Sequence, residues 1–210
     1  DYTMKVKHLV GAFLCVLGCY ACSSPKTEVQ SPDGHIKMTL TVDENGKPFY
    51  NVSVDDSLLI ENSAMGFTAA NGIILAEGFQ VKNTTFSSED ETWTQPWGEN
   101  KKNRNHYNEM AVSLTNEDQV QLTLRFRVFD DGIGFRYEYT VPTVDSLLIT
   151  DELTTFRFHR DGTSWSIPAS AETYELLYQQ QPISEVETAN TPFTLSLIHI
   201  SEPTRPEPIS

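Results

Sequence analysis

Residues 120–139 constrain the fold more than any other stretch of this chain. Val120, Leu122, Leu124, Phe126 and Val128 alternate with polar residues, and beyond Asp131-Gly132 the residues Ile133, Phe135, Tyr137 and Tyr139 alternate again. Period-two alternation on both arms is the pattern of two half-buried strands joined as a hairpin. Asp-Gly favours a two-residue type I′ turn, so Asp131-Gly132 is expected at the tip with Val128 opposite Phe135. That register sets Arg127 opposite Arg136 and Arg125 opposite Glu138 on the outer face. Opposed like charges are unfavourable, so the two arginines either reach water or share a carboxylate, with Glu109 and Glu152 the candidates. Gly132-Ile133-Gly134 belongs to this turn and is no phosphate loop, because no helix follows it.

A second hairpin reads from Ile36, Met38, Leu40 and Val42 through Asn45-Gly46 to Tyr50, Val52 and Val54. Further strands are expected around 58–61, 66–69, 78–86, 109–115, 146–150 and 152–158, with no convincing helical period in the body and no internal repeat. Many short strands at this spacing specify an all-β, antiparallel two-sheet sandwich. The chain has 29 acidic and 15 Lys or Arg residues, a formal charge of −14. That balance argues against nucleic acid or an anionic membrane surface as partner, since either needs clustered cations.

The ends differ from the body. Met4-Lys5-Val6-Lys7-His8 precedes the apolar run Leu9 to Tyr20, so residues 1–22 read as a signal segment with a basic start, too short to span a bilayer. All three cysteines lie there, Cys15, Cys19 and Cys22, so the body has no disulfide and no thiol metal site. Either Cys19 or Cys22 is placed to carry the lipid anchor of a bacterial lipoprotein; the other reading is ordinary cleavage near Ala21. Both put the protein in the periplasm or on the outer membrane. Residues 23–30 read as a polar tether and 31–194 as the domain. From Leu195 to Arg205 the chain resembles the conceptual translation of a transposase-type sequencing adapter. Residues 195–210 are therefore expected to be non-native and to pack on nothing, leaving the domain truncated; a genuine proline-rich tail is the alternative.

Several segments together resemble the N-terminal domain of glycoside hydrolase family 97: Ser31-Pro32-Asp33-Gly34, Trp93 to Glu99, Tyr107-Asn108-Glu109, the hairpin Phe126 to Tyr139, and Ile167-Pro168-Ala169 followed by Tyr174-Glu175 and Tyr178. The resemblance implies a galactose-mutarotase-like supersandwich, incomplete here. It also implies an exported enzyme, retaining or inverting, that cleaves α-linked glucosides or galactosides in oligosaccharides on a C-terminal barrel. Glycoside hydrolysis needs two carboxylates facing each other across the sugar. No acidic pair in this chain is set for that task, and the family carries those groups on the barrel, so no catalytic residue is assigned here.

The resemblance further implies a calcium ion beside the substrate, to which the N-terminal domain lends a glutamate; Glu175 is the matching residue. Calcium takes six to eight oxygen ligands, so Glu175 is at most one contributor, and a plain surface carboxylate is the competing reading. Trp93, Trp97, Glu99, Asn105, His106, Tyr107, Asn108 and Glu109 form a polar-aromatic stretch. Trp97, Glu99 and Asn108 are the candidates for substrate binding or for a domain interface, since aromatic faces stack on sugars while amides and carboxylates bond hydroxyls. The competing expectation is that the tryptophans fill core. From another class, a non-catalytic carbohydrate-binding or structural sandwich lipoprotein also fits the pattern.

Overall fold

The computed structural model describes residues 27–173, 175–190 and 194–196. The signal segment, the cysteines, Tyr174 and the tail from 197 onward lie outside the described residues. Among the described residues, fourteen strands account for nearly all the regular structure. The first sheet joins β1 (Glu28–Gln30), β2 (Ile36–Val42), β3 (Pro48–Val54) and β4 (Ser57–Ala64) in chain order. Two short strands follow, β5 (Phe67–Ala69) and β6 (Ile74–Leu75). The second large sheet holds β7 (Gln80–Thr94), β8 (Lys102–Thr115), β9 (Gln121–Phe129) and β10 (Gly132–Thr140) as an antiparallel meander. Then come β11 (Ile149–Glu152), β12 (Thr163–Ser166), β13 (Gln179–Pro182) and β14 (Thr194–Ser196). β11 pairs with β5, and β12 lies between β13 and β14.

The two large sheets pack their apolar faces into one core. Met38, Leu40, Tyr50 and Val52 from the first meet Met110, Val112, Leu114, Leu122, Leu124, Phe126 and Val128 from the second. Alternation explains the sorting: β9 buries every second residue and leaves Arg125 and Arg127 on its other face. Burying a Leu or Phe side chain contributes about 1.5–3 kcal/mol, so this seam is the main source of stability. Tyr50 is fully buried yet satisfied, because its hydroxyl donates to the Thr155 carbonyl at 2.9 Å. Burial pushes that hydroxyl's pKa up to about 12.

The main hairpin forms with a different register from the one its Asp-Gly signal predicts. Phe129 pairs with Gly132 and Phe126 with Phe135, so the tip is Asp130-Asp131 and Gly132 lies in β10. None of these three residues has positive φ, so the turn is not type I′. The slip relative to Val128 opposite Phe135 is of two residues, which preserves both faces and explains why the core assignment survives it. The positive-φ pair characteristic of type I′ occurs instead at the β3–β4 turn, at Asp55 (φ 48°) and Asp56 (φ 61°). The hairpin tip is also tied to the Ser31-Pro32-Asp33-Gly34 turn, where the Asp33 N–H donates to the Asp130 carboxylate at 2.9 Å.

Other expectations are corrected. Glu28–Gln30, read as tether, form β1, and Val29 enters the core because it faces β2 and the second sheet. Residues 153–159 are no strand of their own. They run along β4, with Leu153, Thr155 and His159 donating backbone bonds to Gly66, Ala64 and Leu59. Leu195 and Ser196, expected to pack on nothing, lie in β14, whose backbone pairs with Ser164 and Thr163.

Two glycines test this arrangement in opposite directions. Gly46 has φ +75°, and a Cβ there would lie 2.3 Å from the Phe79 nitrogen, because this loop is clamped on Gly78-Phe79. Gly46→Ala is expected to cost at least about 2 kcal/mol in urea unfolding, from strain plus backbone overlap. Gly132 meets nothing within 4 Å, so Gly132→Val is expected to leave the unfolding midpoint unchanged or raised. A large loss at Gly132 would contradict this register.

Candidate functional site

The outer face of the second sheet carries a charge network that follows directly from strand pairing. Glu109 lies opposite Arg127, and Arg125 opposite Arg136, with Glu138 two residues beyond Arg136. Arg125 donates to Glu109 at 2.5 Å and, through Nε, to Glu138 at 2.9 Å; Arg127 Nε donates to Glu109 at 2.7 Å and Arg136 Nε to Glu138 at 2.8 Å. The opposed arginines are therefore Arg125 and Arg136, and the carboxylate between them is Glu138, not Glu109 or Glu152. Glu109 instead joins Arg125 to Arg127. It is only 7% exposed although it points away from the core, because the two arginine stems cover it. Burial raises the Glu109 pKa, but the hydrogen bonds from Arg127 and Arg125 outweigh it and leave the carboxyl below its ordinary range. Arg127 also stacks its guanidinium 4.4 Å above the Tyr107 ring, a contact that sequence spacing did not reveal.

The polar-aromatic stretch is not brought together as one site. β7 and β8 extend past the sandwich as a long, two-stranded arm whose outer half is polar on both faces. Cross-strand pairs stiffen it: Arg104 grips Asp90 through two 2.7 Å bonds, and Asn105 donates to Glu91 at 3.0 Å. Trp97 stands at the tip, 83% exposed, and Trp93 is 49% exposed, so neither fills core. Glu99 is exposed in the same tip loop. His106 faces Asp130 at 3.6 Å. Asn108 is engaged within the protein, donating to the Gln30 carbonyl at 2.9 Å and accepting from Ser88 at 2.6 Å.

Glu175 lies in the irregular stretch between β12 and β13. It is exposed, and its N–H donates to Thr173 Oγ1 at 3.0 Å, while its carboxylate makes no bond among the described residues. Around it Leu177 is 88% and Tyr178 65% exposed. No group of three or more His, Cys, Asp or Glu among the described residues is arranged to hold a metal. One free carboxylate fits a calcium site as a single contributor and not as its host.

The described residues form a two-sheet antiparallel sandwich with a projecting arm and an exposed late segment. A model of the glycosyl-hydrolase 97 N-terminal family matches residues 29–202, and the chain belongs to that family. A retaining alpha-galactosidase from Bacteroides thetaiotaomicron is 25% identical over 195 residues, which cover 92% of this chain and 28% of that enzyme. A solved family 97 glycoside hydrolase from Pseudoalteromonas sp. strain K8, in complex with panose, is 34% identical with a TM-score of 0.73, covering 80% of this chain and 26% of that one. A solved beta-arabinopyranosidase is 25% identical with a TM-score of 0.64, covering 72% and 26%. The chain thus spans roughly a quarter of the length of these relatives.

The network predicts a pH response. A lowered carboxyl pKa contributes stability that is present above the unfolded value, about 4.3, and lost as pH falls through the folded value. Glu109→Gln is expected to cost about 1–3 kcal/mol at neutral pH and to flatten the acid limb of stability, measured by urea unfolding from about pH 7 to about pH 3. The His35 pair has the opposite sign. The Asp55 carboxylate beside it raises the imidazole pKa, so its contribution is complete below about 6.5 and is lost as pH rises through the folded value. A His35→Gln variant that kept the wild-type decline above about pH 6.5 would disprove that assignment.

Proposed function

We propose that this chain is the N-terminal domain of an exported glycoside hydrolase acting on α-linked glucosides or galactosides, within a longer protein that carries the catalytic barrel. The domain packs on that barrel and lends Glu175 to a calcium site at the substrate. The observation that carries this reading is the Glu175 segment. A carboxylate with no partner among the described residues sits beside Leu176, Leu177 and Tyr178, all exposed, and such apolar surface marks an interface. The names of the relatives support the substrate class: one is an alpha-galactosidase, and others were solved with panose and acarbose. When bound, calcium supplies fixed positive charge beside the sugar; its other oxygen ligands come from the rest of the longer protein.

The arm tip is a second exposed patch. Trp97 offers an open aromatic face to a sugar ring or to the barrel, with Glu99 beside it, whereas Asn108 already has both ends of its amide occupied. The leader-like start supports export, with Cys19 or Cys22 lipidated. Incorporation of labelled palmitate, abolished by Cys19→Ala or Cys22→Ala, checks that part.

In the full-length enzyme, Glu175→Gln is expected to weaken calcium binding about tenfold or more and to lower turnover, while the 210-residue chain alone binds calcium weakly or not at all. Calorimetry and glycoside hydrolysis measure both. Unchanged calcium affinity and activity in the full-length variant would remove Glu175 from the site.

A further inference from the structure

The arginine network on the outer sheet face does not close on itself. Among the described residues, Arg125, Arg127 and Arg136 pair with Glu109 and Glu138, leaving one uncompensated positive charge in a chain of net −14. The hydrogen bonds locate it. Arg125 uses Nε and both terminal nitrogens on Glu109 and Glu138, and Arg136 commits Nε and one terminal nitrogen to Glu138. Arg127 commits only Nε, to Glu109; its two terminal nitrogens make no hydrogen bond among the described residues. That free fork is held in place by Glu109 on one side and by the Tyr107 ring 4.4 Å beneath it, and Tyr107 in turn packs on Phe129 at 5.3 Å.

Beside the fork is a cleft of about 210 Å³ lined by Arg125, Arg127, Phe129, Gly134 and Arg136. Gly134 is the strand partner of Arg127, and a Cβ there would meet nothing within 4 Å, so the missing side chain leaves the space in front of the fork open. We propose that this cleft binds the carboxylate of a small sugar acid of the hexuronate class, with Arg127 gripping the carboxylate and Phe129 lying against the ring. A planar guanidinium fork matches a carboxylate in two parallel bonds, and its entropy of orientation is already spent here. A dianion suits the cleft less well, since two carboxylates sit a few ångströms away against a single excess positive charge. The volume is below the range usual for drug-sized ligands, so one ring fits and a long chain does not. The choice of a sugar acid rests on the function proposed above; the carboxylate grip does not, and the test separates them.

The experiment is a titration of the 210-residue chain followed by the NMR signal of the Arg127 Nε–H, with galacturonate, galactose, acetate and inorganic phosphate as probes. Galacturonate is expected to saturate the shift and galactose to leave it unmoved. Arg127→Lys keeps the charge but loses the fork, and is expected to weaken binding about tenfold, read by calorimetry. Gly134→Val fills the cleft at an open strand position, and is expected to abolish binding with no fall in melting temperature. Acetate binding as tightly as galacturonate would overturn the sugar-acid part alone. Phosphate binding more tightly than galacturonate would overturn the carboxylate preference. No saturable binding of either carboxylate, or equal affinity in wild type, Arg127→Lys and Gly134→Val, would overturn the site.

Discussion

The alternation of β8, β9 and β10 is the constraint on which the rest of the structure depends. Once Met110, Val112, Leu122, Leu124, Phe126 and Val128 turn inward to meet the first sheet, every other residue on those strands must turn outward. The outward set is Tyr107, Glu109, Arg125, Arg127, Arg136 and Glu138, and antiparallel pairing places their charges alternately enough to bond across the strands. Core and charge network are two faces of one register. A shift of a single residue would bury the arginines, which is why the apolar pattern holds the register firmly even where the turn signal is misleading.

Legibility in the sequence followed the strength of that pattern. The sandwich, both main hairpins and most of the core were readable because their apolar residues recur at period two. The tip of the main hairpin departs from its signal: Asp131-Gly132 favours a turn, but the chain turns one residue earlier at Asp130-Asp131, where Asp130 also accepts a bond from Asp33. The outer half of the β7–β8 arm is illegible because it has water on both faces and therefore no alternation; one cross-strand ion pair and one amide–carboxylate bond hold it instead. β12 escaped for a related reason: its buried residues are Ser164 and Ser166, polar groups that no hydrophobic pattern marks. Within the candidate site, the exposure of Trp93 and Trp97 and the stacking of Arg127 on Tyr107 depend on tertiary geometry that spacing cannot convey.

The domain combines a well-closed core with surfaces that none of the described residues covers. Large apolar side chains at the arm tip and around Glu175 stand in water, whereas the buried hydroxyls of Tyr50 and Ser63 are bonded. Under the proposed function, the exposed segments are where a neighbouring domain of a longer protein packs on the sandwich. The proposed arrangement is a division of labour, with structure in the meander and function at the edge, where Glu175 offers a carboxylate without destabilising the fold.

Amide hydrogen exchange, compared between this chain and a full-length family member containing it, tests the division most directly. The account predicts that amides at 95–99 and 175–178 exchange at least about tenfold more slowly in the full-length protein, while β8 and β9 are equally protected in both. Equal exchange at those two segments would show that no domain covers them, and would contradict the placement of the functional edge.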